Sequence, residues 1–372
     1  MKNKKILWLF AHLHKGGMQR AVSNISMALP DTFDQYVAFF GTEEPDFPYN
    51  AIIHDFNIPG SLDLGNVKRG KNGLLRIVKL RGFIREHQID TVISFGETAN
   101  IYNIASCHSA KKIITSRVAA LDSGCAKKSF RKHLHDWFFK ALYSKADMMI
   151  AVSEELGRQM RRIVGADKVK VIPNLYHDKK IKCLSEEPLP EEFAFLNDAP
   201  FVLNVGSLTF QKGQDDLLEV FAQVCNLKSQ PYLVLMGRGE WKDFLHKKAE
   251  ELGVADKVLF VDFDPNPYRF MARAKVFVLP SRYEGFPNVL AEAMICGAPV
   301  VAFDCPTGPD EILEGGKYGF LIKDRNINQA ADAINCLLCE PESWLKYCRL
   351  ARDRAQEYSV ERVIQEWVSV LC

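Results

Sequence analysis

Short apolar runs alternate with helix-patterned segments along the whole 372-residue chain, and this alternation constrains the fold more than any other feature. The strand-like runs of the first half are predicted near residues 5–11, 35–40, 51–56, 91–95, 112–117 and 148–152. Those of the second half are predicted near residues 201–206, 232–236, 258–263, 275–280 and 299–303. Such alternation produces parallel sheets with helices on both faces. We therefore predict an α/β protein with two Rossmann-like domains.

A boundary between the two series of strands is visible in the composition. Helical patterns fall between the strands, for example at 18–29, 73–87, 129–145 and 154–164. A charged stretch with several prolines at 173–200 then interrupts the alternation. The chain is long enough for two domains that each bury a core. We predict a first domain at 1–175, a second at 176–358 and a terminal helix within 359–372.

The formal net charge of +2 hides an asymmetry between the two halves. Residues 1–182 carry 29 Lys and Arg against 17 Asp and Glu, whereas residues 183–372 carry 19 against 29. A basic half joined to an acidic half indicates that only the first faces an anionic partner. No nucleic-acid-binding motif accompanies the charge, so we predict an anionic membrane surface as the partner and no nucleic acid.

The remaining composition favours a cytoplasmic protein. No apolar run approaches the roughly 18 residues of a membrane span, and the first apolar run is short and lacks a signal-peptide cleavage site. Ten cysteines show no metal-like spacing, and Cys336 and Cys339 form a lone C-x-x-C inside a helical pattern. We expect reduced cysteines and, given the basic first half, a position at the inner face of the cell membrane.

The stretch from Val276 to Val300 carries the densest functional signal. An apolar run ending at Pro280 predicts a buried strand, and Pro287 marks the start of a helix, because proline is tolerated at the first helical position. Glu284 then lies in the connecting loop, and Glu292 lies about a turn and a half into the helix. Ligands of parallel sheets bind at this strand end, where helix amides suit a phosphate and carboxylates suit sugar hydroxyls. The alternative is an ordinary strand–helix unit with two surface glutamates.

Two glycine-bearing loops also follow predicted strands. Gly16 and Gly17 open the first helix, where backbone can approach an anion, although a tight structural turn is an equal interpretation. The second loop runs from Gly206 to Lys212, and a lysine at a helix start opposes the helix dipole unless a phosphate lies nearby. Arg238 follows another strand and either assists a diphosphate or is a plain turn residue.

Three segments carry a family resemblance: Ser281–Val289, Glu292–Met294 and Asp304–Ile312. They resemble the donor half of retaining, nucleotide-sugar-dependent glycosyltransferases of family four, which have the two-domain GT-B fold. The nearest branch comprises bacterial lipid-linked-glycan and surface-polysaccharide enzymes, including N-acetylgalactosamine transferases. The resemblance is specific in the second half of the chain and loose in the first.

The resemblance implies a role for each motif. The first domain would bind the acceptor and the second a nucleotide sugar, with the terminal helix packing back on the first domain. Glu284 and Lys212 are the predicted catalytic residues; Lys212 would stabilise the leaving diphosphate, Glu284 would orient the sugar, and Glu292 would hold the ribose. The predicted donor-binding residues are Gly16, Gly17, Ser207, Lys212, Arg238, Asp262, Phe263, Glu284, Gly285, Phe286, Pro287, Asn288, Val289 and Glu292.

The chain departs from the family pattern in two places. Many relatives carry an arginine where this chain has Ser207, which leaves more of the phosphate contact to Lys212. Many also place a histidine after the strand at 112–117. In this chain that strand ends in Arg117, and His108 precedes the strand and is predicted to be structural. The residues predicted to line the acceptor side are Gln19, Glu97 and Arg117.

The sequence predicts neither a metal nor a cofactor beyond the donor itself. The pair Asp262 and Asp264 has Asp-x-Asp spacing, but it precedes prolines and is interpreted as a turn that presents backbone to the nucleobase. In a retaining enzyme of this kind the leaving phosphate takes the acceptor proton, so a missing histidine is tolerable. Lys212 and a helix N-terminus would replace a divalent cation.

The predicted function is transfer of a hexose or N-acetylhexosamine, with retention, from a UDP-sugar to a lipid-linked or envelope saccharide. The alternatives are a GT-B-fold epimerase acting on the nucleotide sugar, or a non-catalytic nucleotide-sugar-binding partner of another transferase. The basic stretches 68–85 and 127–145 have amphipathic patterns. Most such helices cover a sheet, but a membrane role stays open because of the basic residues Lys127, Lys128, Arg131, Lys132 and Lys140.

Overall fold

The computed structural model describes residues 3–13, 17–41, 45–58, 66–116, 140–224 and 230–372, except for the side chains of residues 66–69 and 324. Gly16, Arg117 and the basic residues Lys127, Lys128, Arg131 and Lys132 lie outside the described residues, as does most of the helix predicted at 129–145. The chain divides into two compact units. Unit 1 comprises Met1–Leu175 and Val363–Cys372, and unit 2 comprises Tyr176–Arg362.

Unit 1 is built on a seven-stranded parallel sheet with the order β3-β2-β1-β4-β5-β6-β7. Its strands are β1 Lys4–Phe10, β2 Phe33–Phe39, β3 Ile52–Asp55, β4 Thr91–Phe95, β5 Lys111–Ser116, β6 Met148–Ala151 and β7 Val169–Val171. Its helices are α1 Gly17–Ala28, α2 Asn66–His87, α3 Glu97–Ala105 and α4 Glu154–Val164. The central strands β1 and β4 are apolar and buried, because helices cover parallel sheets on both faces.

Unit 2 is built on a six-stranded parallel sheet with the order β10-β9-β8-β11-β12-β13. Its strands are β8 Phe201–Val205, β9 Tyr232–Met236, β10 Val258–Val261, β11 Val276–Leu279, β12 Val300–Phe303 and β13 Phe320–Ile322. Its helices are α5 Asp178–Ser185, α6 Gln214–Val224, α7 Lys242–Glu251, α8 Tyr268–Met271, α9 Asn288–Ile295, α10 Pro309–Leu313, α11 Ile327–Cys339, α12 Pro341–Ala355 and α13 Val360–Leu371. Cys336 and Cys339 are free thiols in α11.

The last helix, α13, contributes its residues from Val363 onward to unit 1. Trp367 is fully buried and its ring lies 5.8 Å from that of Trp8 on β1. Lys111 on β5 donates a hydrogen bond to the Val370 carbonyl at 2.7 Å, and Lys170 on β7 donates to the Ser369 hydroxyl at 2.8 Å. The end of the chain is thus part of the core of unit 1.

Several predicted boundaries were wrong. Strands β7 and β13 were not predicted, because each has only three residues and is defined by its pairing with a neighbour. Helix α2 begins at Asn66, seven residues before the predicted start. Strand β10 ends at Val261, so Asp262 and Phe263 lie in the following loop.

Candidate functional site

Lys212 and Glu284 meet at the carboxyl ends of β8 and β11. These strands are neighbours, and the strand order of the sheet reverses between them. Lys212 Nζ lies 2.6 Å from Glu284 Oε1, with the lysine side chain 20% and the glutamate side chain 7% exposed. Such a reversal opens the crevice in which α/β sheets bind ligands. The structure therefore brings the two predicted catalytic residues together as one ion pair.

The loop after β8 differs from the prediction in its conformation. Lys212 ends a 3-10 turn, Phe210–Lys212, and α6 begins only at Gln214, so Lys212 is not at the helix start. Gly213 separates them with φ +65°, and a Cβ there would lie 2.2 Å from the Pro280 carbonyl oxygen. Only glycine allows this approach. The close contact fixes Lys212 against the strand that leads to Glu284.

Arg282 holds the two loops together, which sequence reasoning missed. Its guanidinium makes two bonds to the Asp215 carboxylate, at 2.8 and 2.7 Å, and a third to the Phe210 carbonyl at 2.7 Å. It also lies 4.3 Å from the centre of the Phe210 ring. The planar guanidinium suits this combination of bidentate pairing and stacking. Its position in the motif between Ser281 and Glu284 was the one sequence signal for such a role. Its partners could not be identified, because they lie about 70 residues away in the sequence.

Glu284 is oriented by two groups besides Lys212. The Ser281 hydroxyl donates to Glu284 Oε1 at 2.7 Å, and the Thr307 hydroxyl donates to the Glu284 carbonyl. Next to Thr307, Gly308 has φ +98° and a Cβ there would lie 2.4 Å from Pro287 Cδ. Burial, followed by the Glu284 charge, raises the pKa of the nearby Cys305 thiol to about 12. The loop thus holds a negative charge beside Lys212.

The start of α9 is held by residues from the beginning and end of unit 2. Pro287 is the N-cap residue and the helix begins at Asn288, one residue later than predicted. The Tyr176 hydroxyl lies 2.6 Å from Asn288 Oδ1. The Phe286 ring lies 5.8 Å from that of Tyr358, and the Tyr176 amide donates to the Tyr358 carbonyl at 3.0 Å. No local pattern marks Tyr176, because its partner is 112 residues away.

The other donor residues of this motif lie around the same helix. Gly285 and Val289 are half-buried, and Glu292 is 1% exposed on the inner side of α9. Burial and then the charge of Glu292 raise the pKa of the Cys296 thiol at the end of the helix. The Glu292 carboxylate is thus enclosed by the helix layer, whereas the Glu284 carboxylate lies in the loop above the strand end.

The remaining predicted donor residues lie around β9 and β10. Ser207 is exposed, and its carbonyl accepts a bond of 3.0 Å from buried Gln214. Arg238 is largely exposed and lies 3.8 Å from Asp262, which also accepts a bond of 3.0 Å from Lys242. These charges lower the pKa of the Asp262 carboxyl, the Lys242 hydrogen bond contributing most. Asp262 and the exposed Phe263 line a cavity of about 530 Å³ with Lys242.

In unit 1 the predicted residues lie at the carboxyl ends of β1 and β4, where that sheet also reverses. Gly17 is exposed at the start of α1, and Glu97 is exposed at the start of α3. Gln19 is buried, and its amide donates to the His12 carbonyl at 3.1 Å, so its side chain supports its own loop. The structure places Gly17 and Glu97 where a ligand can reach them.

His108 is a buried structural residue. Its Nε2 lies 2.9 Å from Asn103 Oδ1, and Asn103 in turn bonds the Ser94 hydroxyl at 3.0 Å. Burial, followed by the nearby Lys112 charge, lowers the pKa of His108 to about 4. A neutral imidazole locked in this network is part of the packing of α3 on the sheet.

Neither a metal site nor a membrane-spanning helix is found in the part of the chain that the structure describes. Among those residues, no three His, Cys, Asp or Glu side chains are grouped as a metal site requires. None of the described helices combines the length and apolar character needed to cross a membrane.

Two family models match the chain, one in each half. The model described as Glycosyltransferase Family 4 matches residues 15–178, and the model described as Glycosyl transferases group 1 matches residues 185–357. The second match contains Lys212, Glu284 and Glu292, and the first contains Gly17 and Glu97. The carboxyl strand ends of both sheets thus lie within the matched residues.

Curated relatives and a solved structure agree with these matches. An uncharacterized glycosyltransferase of Methanocaldococcus jannaschii is 28% identical and covers 81% of this chain and 85% of its own length. The N-acetylgalactosamine-N,N'-diacetylbacillosaminyl-diphospho-undecaprenol 4-alpha-N-acetylgalactosaminyltransferase of Campylobacter jejuni is 28% identical over 66% of this chain and 65% of its own length. HepE of Anabaena, solved in complex with UDP, has a TM-score of 0.80 with 99% of both chains covered and 21% identity. The predicted fold of two Rossmann-like GT-B domains is confirmed.

Proposed function

We propose that this chain, whose first half matches the Glycosyltransferase Family 4 model and whose second half matches the Glycosyl transferases group 1 model, transfers a sugar from a UDP-linked donor with retention of configuration. The transferred sugar is a hexose or an N-acetylhexosamine, and the acceptor is a lipid-linked or envelope saccharide. The observation that carries the proposal is the Lys212–Glu284 pair, seated where the strand order of the unit 2 sheet reverses.

The ion pair has a specific part in this reaction. Without donor, the Lys212 ammonium is neutralised by the Glu284 carboxylate. A bound diphosphate offers Lys212 a second anion, and its charge grows as the sugar–phosphate bond breaks. An interaction that strengthens in this way lowers the barrier more than it tightens binding. Glu284 is then available to accept a hydrogen bond from a sugar hydroxyl.

The contacts of the other parts of the donor are assigned from the position of its diphosphate beside Lys212. The amides of Asn288 and Val289 at the start of α9 supply donors for the diphosphate. Glu292, inside the same helix, accepts from the ribose hydroxyls. The base points to the loop at Asp262 and Phe263, two residues that line the open cavity.

Retention is explained without a protein base. His108 is buried and hydrogen-bonded in unit 1, so it is not available as a base. We propose that the leaving phosphate oxygen accepts the acceptor proton on the same face from which it departs. The C–O bond to phosphate breaks as the C–O bond to the acceptor forms, and the proton passes to the phosphate. Lys212 stabilises that phosphate without a divalent cation.

The acceptor is proposed from the relatives and the charge. The Campylobacter relative is named for a diphospho-undecaprenol-linked saccharide. Residues 1–182 carry twelve more basic than acidic residues, which favours binding to an anionic membrane surface. We propose that the protein acts at the inner face of the membrane and is held there peripherally.

The test is product analysis with purified protein, a panel of nucleotide sugars and a membrane extract. We expect one UDP-sugar to yield a glycosylated lipid with the donor's anomeric configuration by NMR, and EDTA to leave the rate unchanged. Inversion, or activity restored only by a divalent cation, would contradict the mechanism. An epimerised nucleotide sugar without acceptor would identify the epimerase alternative. Tight UDP-sugar binding without turnover would identify the binding-partner alternative.

A further inference from the structure

Helix α2 in unit 1 is apolar on two opposite faces. Its inner face is buried through Leu80, Phe83 and Ile84. Its outer face carries Leu74, 67% exposed, and Val78, 65% exposed. A helix that only covers a sheet needs a single apolar stripe, so the packing among the described residues of unit 1 does not account for the second one.

The outer apolar stripe is framed by positive charge. Lys71, Leu74, Val78, Arg81 and Arg85 follow one another at three- and four-residue intervals, which places them on the same face of the helix. All five are exposed. The helix has seven Lys and Arg against one Glu. Leucine and valine flanked by lysine and arginine form the pattern of helices that lie in a membrane interface.

The edge strand beside α2 also carries exposed apolar side chains. Ile52 and Ile53 on β3 are both exposed, and β3 is the outermost strand of the sheet. The His54 ring on β3 lies 4.5 Å from the Phe83 ring on the inner face of α2. The exposed isoleucines therefore lie on the edge strand that the inner face of α2 contacts.

We propose that the outer face of α2, defined by Lys71, Leu74, Leu75, Val78, Arg81 and Arg85, binds an anionic membrane surface, with the leucines and valine in the headgroup region. The inference rests on the proposed membrane association and names the surface responsible for it. A second copy fits this face less well, because a symmetric contact would place one basic helix against another.

The experiment is flotation of full-length protein with vesicles of phosphatidylglycerol and phosphatidylcholine, or of phosphatidylcholine alone. Wild type should bind only the anionic vesicles. Replacing Lys71, Arg81 and Arg85 with Ser should weaken binding on the order of a hundredfold, at about fivefold for each basic residue. Replacing Leu74, Leu75 and Val78 with Ser should weaken it at least tenfold and leave the residual binding fully released by high salt.

The matched control lies in unit 2. On α12, Leu345, Lys346 and Arg349 are an exposed apolar residue with two exposed basic neighbours, and their triple Ser variant should bind like wild type. If the α2 variants also bind like wild type while replacement of Lys127, Lys128, Arg131 and Lys132 abolishes binding, the surface assigned to α2 is wrong and the membrane association stands.

Two further outcomes separate this inference from the proposed function. If wild type ignores anionic vesicles but still turns over UDP-sugar, membrane association fails and the transferase proposal survives. If ultracentrifugation shows a wild-type dimer that the Leu74, Leu75 and Val78 variant dissociates, α2 is a protein interface and the proposal is overturned. UDP affinity and thermal unfolding, measured for each variant, should match wild type.

Discussion

The corner from β4 to α3 in unit 1 and the corner from β11 to α9 in unit 2 occupy matching places in their sheets, yet they use polar residues differently. Behind the first corner, Ser94, Asn100 and Asn103 are buried and hydrogen-bonded to one another or to strand carbonyls. At the second, Glu284 and Lys212 keep opposite charges at the open strand end.

The difference shows what each corner can do. Buried amides with satisfied hydrogen bonds specify packing, and they have no capacity left for a ligand. A partly exposed ion pair is different, because either partner can exchange its contact for one with a charged or hydroxylated ligand. Chemistry is therefore expected in unit 2, and the exposed Glu97 at the start of α3 stays a predicted acceptor-side residue of unit 1.

The comparison is tested most strongly by the two carboxylates of unit 2. Glu284→Gln should lower transfer at least a thousandfold, about 4 kcal/mol, because it removes the charge that orients both Lys212 and the sugar. Its UDP affinity should stay within threefold of wild type.

Glu292→Gln should weaken UDP binding about tenfold, since it changes the proposed ribose contact. Equal calorimetric affinities of wild type and Glu292→Gln for UDP would contradict the ribose assignment.

Lys212→Ala is expected to have the next largest effect. Loss of the cation beside the leaving diphosphate should lower turnover at least a hundredfold, about 3 kcal/mol, with little change in KM. Lys317→Ala is the control, because this lysine is also paired with a glutamate but lies on an exposed loop. A turnover of Lys212→Ala within threefold of wild type would show that the lysine serves only the local structure.

The sequence was sufficient for the fold and for residues that lie within one strand–loop–helix segment. Glu284 and Lys212 follow strongly apolar strands, so their positions at the sheet edge could be predicted. The contacts that hold them could not, because Arg282 pairs with Asp215 and Tyr176 with Asn288 across 67 and 112 residues. Such pairs depend on which strands become neighbours, and no local pattern encodes that. The site assignments stay predictions until ligand binding is measured.

The buried hydrogen-bond network around His108 in unit 1 should make the stability of the protein depend on pH. The folded-state pKa of His108, about 4, lies below its unfolded value near 6.5, so folding favours the neutral ring. Its contribution is complete above pH 6.5 and is lost as the pH falls towards 4. We expect the difference in unfolding free energy between wild type and His108→Gln to change by about 2 kcal/mol between pH 7 and pH 5. A difference independent of pH, measured from urea midpoints, would mean that the His108 ring has the same pKa in the folded and unfolded states.

The smallest expected effect concerns Tyr176, which the sequence did not mark. Tyr176→Phe removes the hydroxyl that lies 2.6 Å from Asn288 Oδ1, and loss of one hydrogen bond costs about 1 kcal/mol. Because Asn288 begins the helix whose amides are proposed to face the diphosphate, turnover should fall about fivefold while KM changes little.

Tyr358→Phe is the matched control for this change. It removes a buried hydroxyl that bonds to Arg354, and it keeps the ring that packs on Phe286. The two variants should lose similar stability, since each loses one buried hydrogen bond, but only Tyr176→Phe should slow transfer. If both slow transfer equally, the effect reflects general loosening of unit 2. If Tyr176→Phe loses stability without losing turnover, the position of the start of α9 during transfer does not depend on this tyrosine.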